Sequence, residues 1–134
     1  MTAIPMHPYE SQVLEFIEAF GVKHPDELSV KLIKEEVSEV IEAAAHLLKE
    51  LCDLMYVVTS AELHEAVVPH DAYGPECIKA LFEIFPNVIF DEAFTRVHQS
   101  NMSKLVDGKP LLREDGKVIK GPNYKPPYLL DLIA

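Results

Sequence analysis

Basic residues are scarce over the first hundred positions. There, 6 Lys/Arg stand against 18 Asp/Glu, a balance of −12 within a chain whose net charge is −10. Nonspecific binding to nucleic acid or to an anionic membrane needs a basic footprint, so the body of the protein argues against both. Cysteine is nearly missing too. Cys52 and Cys77 form no CxxC or Cys/His ligand spacing, and both are expected to be packing residues. No apolar run approaches the roughly 20 residues needed to cross a bilayer. The start, MTAIPMHPYE, has neither the basic nor the apolar stretch of a secretory leader, and the expected location is the cytoplasm. Residues 64 to 70, HEAVVPH, look superficially like the zinc-protease helix signature. Their histidines are six apart with Pro69 between them, so they would not share a helical face. No serine or cysteine nucleophile is evident, which leaves the acids as candidates for chemistry.

What is present is helix. At 134 residues, about half of them apolar, the chain is long enough for one domain with a core and short for two. We expect a single all-α domain over 1–134, a helical bundle over 1–100 and an irregular tail over 101–134. PYESQVLEFIEAFG predicts a first helix, with Val13, Leu14, Phe16, Ile17 and Phe20 at helical spacing and Gly21 as the stop. From about Pro25 to Ala45, and again from about Leu47 to Glu65, apolar residues recur every three or four positions, as in two helices or one long one. VVPHDAYGPE reads as a loop, ECIKALFEIF as a short helix ended by Pro86, and DEAFTRVHQSNMSKL as a further helix with Asp91 as cap or first-turn acid. After Lys104 come four of the ten prolines, three of the five glycines and two Asp-Gly turn signals. That texture predicts irregular chain or a small hairpin.

Within the long helical stretch one phrase occurs twice. EVSEVI (36–41) and ELCDLM (50–55) both read acid, apolar, small, acid, apolar, apolar. At 100° per residue, Ile33, Val37, Val40, Ile41 and Ala44 form an apolar stripe that Glu36 and Glu39 border. Leu51, Leu54, Met55, Val58 and Ala61 form a second, bordered by Glu50 and Asp53. If the two segments pack antiparallel, four carboxylates surround one small volume. Two bare carboxylates about 4 Å apart repel by roughly 4 kcal/mol at an effective dielectric near 20, so a cation is required. Oxygen-only ligands suit Mg²⁺ or Mn²⁺. The plain reading remains that these are helix-flank acids near Lys34 and Lys49. The connection VIEAAAHLLK holds no Gly or Pro. A helix running straight through it would separate Glu36 from Glu50 by about 21 Å, so a shared ion requires either a tight turn near Ala44 to Leu47 or a second subunit.

EEVSE followed by ELCD resembles the EExxE…ExxD signature of the MazG-like all-α nucleoside triphosphate pyrophosphohydrolases. This superfamily also includes the phosphoribosyl-ATP pyrophosphohydrolases and the dimeric dUTPases. VHQSNMSK (97–104) and REDGKVIKGPNYKPP (113–127) are similar to the tail of its bacterial and phage branch. The resemblance implies an α-helical homodimer or homotetramer that uses Mg²⁺ to activate water and split a nucleoside triphosphate, most naturally a dNTP, into monophosphate and pyrophosphate. It makes Glu36, Glu39, Glu50 and Asp53 metal ligands and Glu35 a further ligand or the base that orients water, with Glu35, Glu36 and Glu39 as the catalytic set. Two departures stand out: the gap between the acidic pairs is short, and residues 62–89 exceed the usual connection.

The tail then gains a use as a grip on phosphate. Asn101 and Lys104, spaced i, i+3 at a helix end, can hold it together, while Lys117 and Lys120 close from beyond the Asp115-Gly116 turn. Tyr124 is placed either to stack on a base or to anchor the tail to the bundle. His98 and Arg96 are weaker candidates, since a helix-borne His beside an apolar stripe is more often simply packed, and Ser100 and Ser103 suit a cap or local hydrogen bond as well as a contact to substrate. The alternatives are phosphoribosyl-ATP hydrolysis and a non-enzymatic helical oligomer.

Overall fold

In the computed structural model the described residues are 8–23, 25–65 and 75–134. Most of the loop expected at 67–76, His70 with it, lies outside them. The chain divides into two compact units, Met1–Ser38 and Glu39–Ala134.

In the first unit, α1 spans Glu10–Phe20 and stops at Gly21, whose φ of 61° is left-handed. Glycine takes that conformation without a Cβ penalty, which is why the helix ends there. None of α1 is buried. Val13, Leu14 and Phe16 are all more than half exposed, and Phe20 is 70% exposed.

One helix, α2, runs from Asp26 to Leu63 and continues from the first unit into the second. The tight turn near Ala44 to Leu47, and with it an antiparallel pairing of the two acidic segments inside one chain, is therefore overturned. The physical reason lies in the connection itself. Ala, Leu, Lys and Glu are strong helix formers, and nothing between Glu39 and Glu50 breaks the backbone ladder. The stripe around Glu36 is also exposed over most of its length, since Ile33, Val37 and Val40 are 63%, 50% and 64% exposed, and only Ile41 and Ala44 are half-buried. The stripe around Glu50 fares differently: Leu51 is buried, and Leu54, Met55, Val58 and Ala61 are half-buried.

The core belongs to the second unit. Ala45, Leu48 and Cys52, at i, i+3 and i+7 on α2, pack with Ala93 and Val97 of α4 (Asn87–Met102) and with Leu129. Burial pushes the Cys52 thiol up to about 11, with Asp53 adding to the shift, so it stays protonated and serves as a packing group, as expected. Cys77, by contrast, is exposed. It lies on α3 (Pro75–Phe82), the short helix expected before Pro86. Helix α4 begins four residues earlier than Asp91 predicts. Pro86 fixes its own φ at −56°, and its carbonyl accepts hydrogen bonds from Ile89 and Phe90 N–H, so the helix starts immediately after it.

Both Asp-Gly signals in the tail are turns. Asp107 and Gly108 have φ of 50° and 73° and close a two-residue hairpin, in which Val106 N–H donates to Lys109 O and Lys109 N–H to Val106 O. Gly116 turns a second hairpin, with Arg113 N–H donating to Lys117 O. Gly121 passes close by: a Cβ there would stand 2.8 Å from Val106 Cγ2 and 3.2 Å from the Lys104 carbonyl oxygen. The tail ends in α5, Leu130–Ile133, which sequence patterning did not single out.

Arg96 ties this end down, donating to the Tyr128 carbonyl at 3.0 Å, to Asp131 at 2.7 Å and to Glu92 at 3.0 Å. It is a clamp rather than a residue merely packed on α4. Its hydrogen bond holds the Asp131 carboxyl below the usual value of 3.8. A carboxyl depressed on folding contributes stability above its unfolded pKa and loses it as pH falls through the folded one. We expect wild type to melt slightly above Asp131→Asn at pH 7, the pair being exposed and screened, and the gap to close below about pH 4 in thermal melts across pH.

Candidate active site

Along α2 the acids form an open row rather than a cage. Glu35 and Glu36 are exposed near the end of the first unit, with Glu35 3.9 Å from Lys31 Nζ one turn away. Glu39 is exposed at the start of the second. Eleven positions further, Glu50 and Asp53 sit beside one cation: Lys49 Nζ lies 2.8 Å from Asp53 Oδ2 and 3.5 Å from Glu50 Oε1. The hydrogen bond to Asp53, aided by the negative charge of both acids, holds Lys49 above the ordinary lysine value despite its partial burial. His46 Nε2 approaches Glu50 at 3.9 Å.

These donors fit a hard divalent cation only in part. Lys49 demonstrates that Glu50 and Asp53 can contact one positive centre together, and carboxylate oxygens are the donors Mg²⁺ prefers. Glu39, however, stands about 16 Å from Glu50 along the helix axis. Among the described residues no group of three or more His, Cys, Asp or Glu side chains is gathered for a metal.

The predicted substrate residues are better gathered. Lys104 and Lys120, sixteen residues apart in sequence, both bring an ammonium over the Tyr124 ring, at 6.0 and 4.9 Å from its centroid. The close passage of Gly121 past residues 104 to 106 makes this approach fit. Ser100 and Ser103 hold the returning strand of chain. Ser100 Oγ donates to the Lys125 carbonyl at 2.7 Å, and Lys125 N–H donates to Ser103 Oγ at 2.9 Å. Both serines therefore bind the tail backbone more than twenty residues away, and Ser103 Oγ also donates locally to the Ser100 carbonyl at 2.6 Å. Asn101 is half-buried in the last turn of α4. Lys117 is exposed on the second hairpin, and the two ammoniums over the Tyr124 ring are not its own.

Sequence reasoning missed Tyr56. Its hydroxyl is hydrogen-bonded to Nδ1 of His98, joining α2 to α4. The two rings stack at 6.0 Å and 19°, and Tyr56 also stacks on Phe94 at 5.2 Å. The one available signal was spacing: Tyr56 follows Asp53 by three positions, and His98 precedes Asn101 by three.

Comparison with known families matches residues 14–78 to the phosphoribosyl-ATP pyrophosphohydrolase family, a segment that contains the later part of α1, all of α2 and both acidic pairs. No curated protein and no solved structure matches the chain. Over residues 14–78 the chain is therefore similar to a MazG-like all-α pyrophosphohydrolase family, in agreement with the resemblance of its acidic motif, and the match points to nucleotide pyrophosphohydrolysis in general.

Proposed function

We propose that this protein is a Mg²⁺-dependent pyrophosphohydrolase of deoxynucleoside triphosphates that works as a homo-oligomer, with Glu36 and Glu39 of one copy facing Glu50 and Asp53 of another. The observation that carries the nucleotide reading is the convergence of Lys104 and Lys120 on Tyr124. Two cations beside an aromatic face offer a triphosphate charge neutralisation and a base something to stack on. A second copy is supported by the helical backbone of α2, which holds no turn between the acidic pairs, and by the exposed apolar residues Val13, Phe16, Phe20, Ile33, Val37 and Val40. Large apolar side chains left exposed in such number favour an interaction surface.

In this arrangement the carboxylates of Glu36, Glu39, Glu50 and Asp53 hold magnesium, which when bound supplies neutralising charge and acidifies the attacking water. Glu35 orients that water toward the α-phosphorus. Asn101, Lys104, Lys117 and Lys120 stabilise charge on the departing pyrophosphate. Phosphoribosyl-ATP, the substrate in the matched family's name, is the second reading.

The test is product identification with the wild-type chain on a panel of dNTPs, NTPs and phosphoribosyl-ATP, with and without Mg²⁺. Pyrophosphate and a deoxynucleoside monophosphate appearing only with metal support the proposal. Turnover confined to phosphoribosyl-ATP supports the second reading, and no release from any compound leaves a non-enzymatic oligomer. Tyr124→Ala is expected to raise KM for the preferred nucleotide by roughly ten- to a hundred-fold, the worth of one stacked base, in steady-state assays.

A further inference from the structure

Tyr56 and His98 form a link whose ends lie three positions from proposed functional residues on both helices. Tyr56 stands one turn beyond Asp53 on α2, and His98 one turn before Asn101 on α4, so each shares a helix edge with its neighbour. The hydroxyl meets Nδ1, while among the described residues no other group hydrogen-bonds the exposed His98 ring. The Tyr56 ring is also held by stacking against Phe94 and His98, one turn apart on α4.

An imidazole nitrogen with a free lone pair is a far better acceptor than a phenol oxygen, and a phenol is a better donor than a neutral imidazole N–H. Tyr56 therefore donates and Nδ1 accepts. A neutral ring whose Nδ1 accepts must carry its proton on Nε2. Nε2–H is then a fixed donor on the edge of α4 that continues through Asn101 toward Lys104. We propose that His98 is a substrate-binding residue that donates this Nε2 hydrogen bond to a phosphate oxygen of the nucleoside triphosphate, and that Tyr56 is the positioning residue that sets its tautomer. The assignment rests on the pyrophosphohydrolase reading for its substrate.

Two measurements on the full chain test it. The first is the ¹⁵N imidazole spectrum, in which His98 is expected as the Nε2–H tautomer at neutral pH, with Tyr56→Phe giving a mixture. An Nδ1–H tautomer or an imidazolium in the wild type overturns the assignment. The second compares His98→Gln, whose amide falls near the Nε2 position, with His98→Asn, whose amide falls near Nδ1 and keeps only a partner for Tyr56. The Gln variant is expected to stay near wild type in KM for the preferred triphosphate and in its NMR-monitored affinity for inorganic tripolyphosphate with Mg²⁺. The Asn variant is expected to lose roughly tenfold or more in both, as for a lost hydrogen bond to a charged group. The reverse order, or no difference, reduces His98 to a packing residue.

The readouts separate the two claims. Triphosphate turnover with equal Asn and Gln variants sinks the His98 role alone. Tripolyphosphate binding with the expected order, but no turnover of any triphosphate, sinks the pyrophosphohydrolase reading and leaves the anion site standing.

Discussion

Glu39→Gln lowers pyrophosphate release on the order of 10²–10³-fold while leaving the melting temperature of the chain within a degree or two of wild type. The first half follows from the proposed role, since removing one preorganised charge from a centre that stabilises phosphoryl transfer costs about that much. The second half follows from geometry. Glu39 is exposed on α2, and an exposed side chain of this kind changes stability within about 0.5 kcal/mol when replaced. The sign of the effect on assembly adds a check. If Glu39 enters a cluster of carboxylates in the oligomer, neutralising it relieves repulsion, so the metal-free assembly of the variant is at least as stable as wild type. Steady-state release assays and thermal melts with EDTA read both quantities. Unchanged turnover would remove Glu39 from the site, and a large fall in melting temperature would make its role structural.

Leu129→Ala acts in the opposite way, on stability first. Leu129 is 4% exposed and packs in the cluster of Leu48, Cys52, Ala93 and Val97. Truncating a buried leucine costs roughly 2–5 kcal/mol, through lost transfer energy and the cavity left behind. That is a large share of the stability of any domain this size. The consequence reaches the site because Lys120 and Tyr124 belong to the segment between α4 and Leu129. Loosening its far anchor widens the positions these side chains sample. Denaturant titration is expected to show a lower midpoint, with KM for the triphosphate rising in the fraction that remains folded. A variant as stable as wild type would mean that the tail does not hold the core.

How far the sequence revealed these arrangements depended on range. Local signals carried well: Gly21 ends α1, and both Asp-Gly pairs turn the tail. Each rests on a backbone preference or on spacing within a short motif. Asp91 misled because the proline before the helix set its start, with Pro86 as the N-cap residue and Asn87 as the first helical one. Leu129 and the Tyr56–His98 bond were not legible, since each joins elements more than thirty residues apart and depends on packing that no local pattern encodes. The acidic repeat was visible, but the path between its halves was ambiguous. A run of good helix formers fits a continuous α2, and on the proposed function the closure of the site then moves from a turn within the chain to a contact between copies.

That closure can be measured directly by subunit mixing. Glu39→Gln and Asp53→Asn, each inactive alone on this account, are unfolded or dissociated together and reassembled at equal concentration. With a two-fold interface each mixed dimer contains one doubly altered site and one carrying all four native carboxylates, so about a quarter of wild-type activity returns. Mixed oligomers that form, as seen by native mass spectrometry, yet stay inactive would show that each chain completes its own site and would contradict the proposed pairing of α2 between copies.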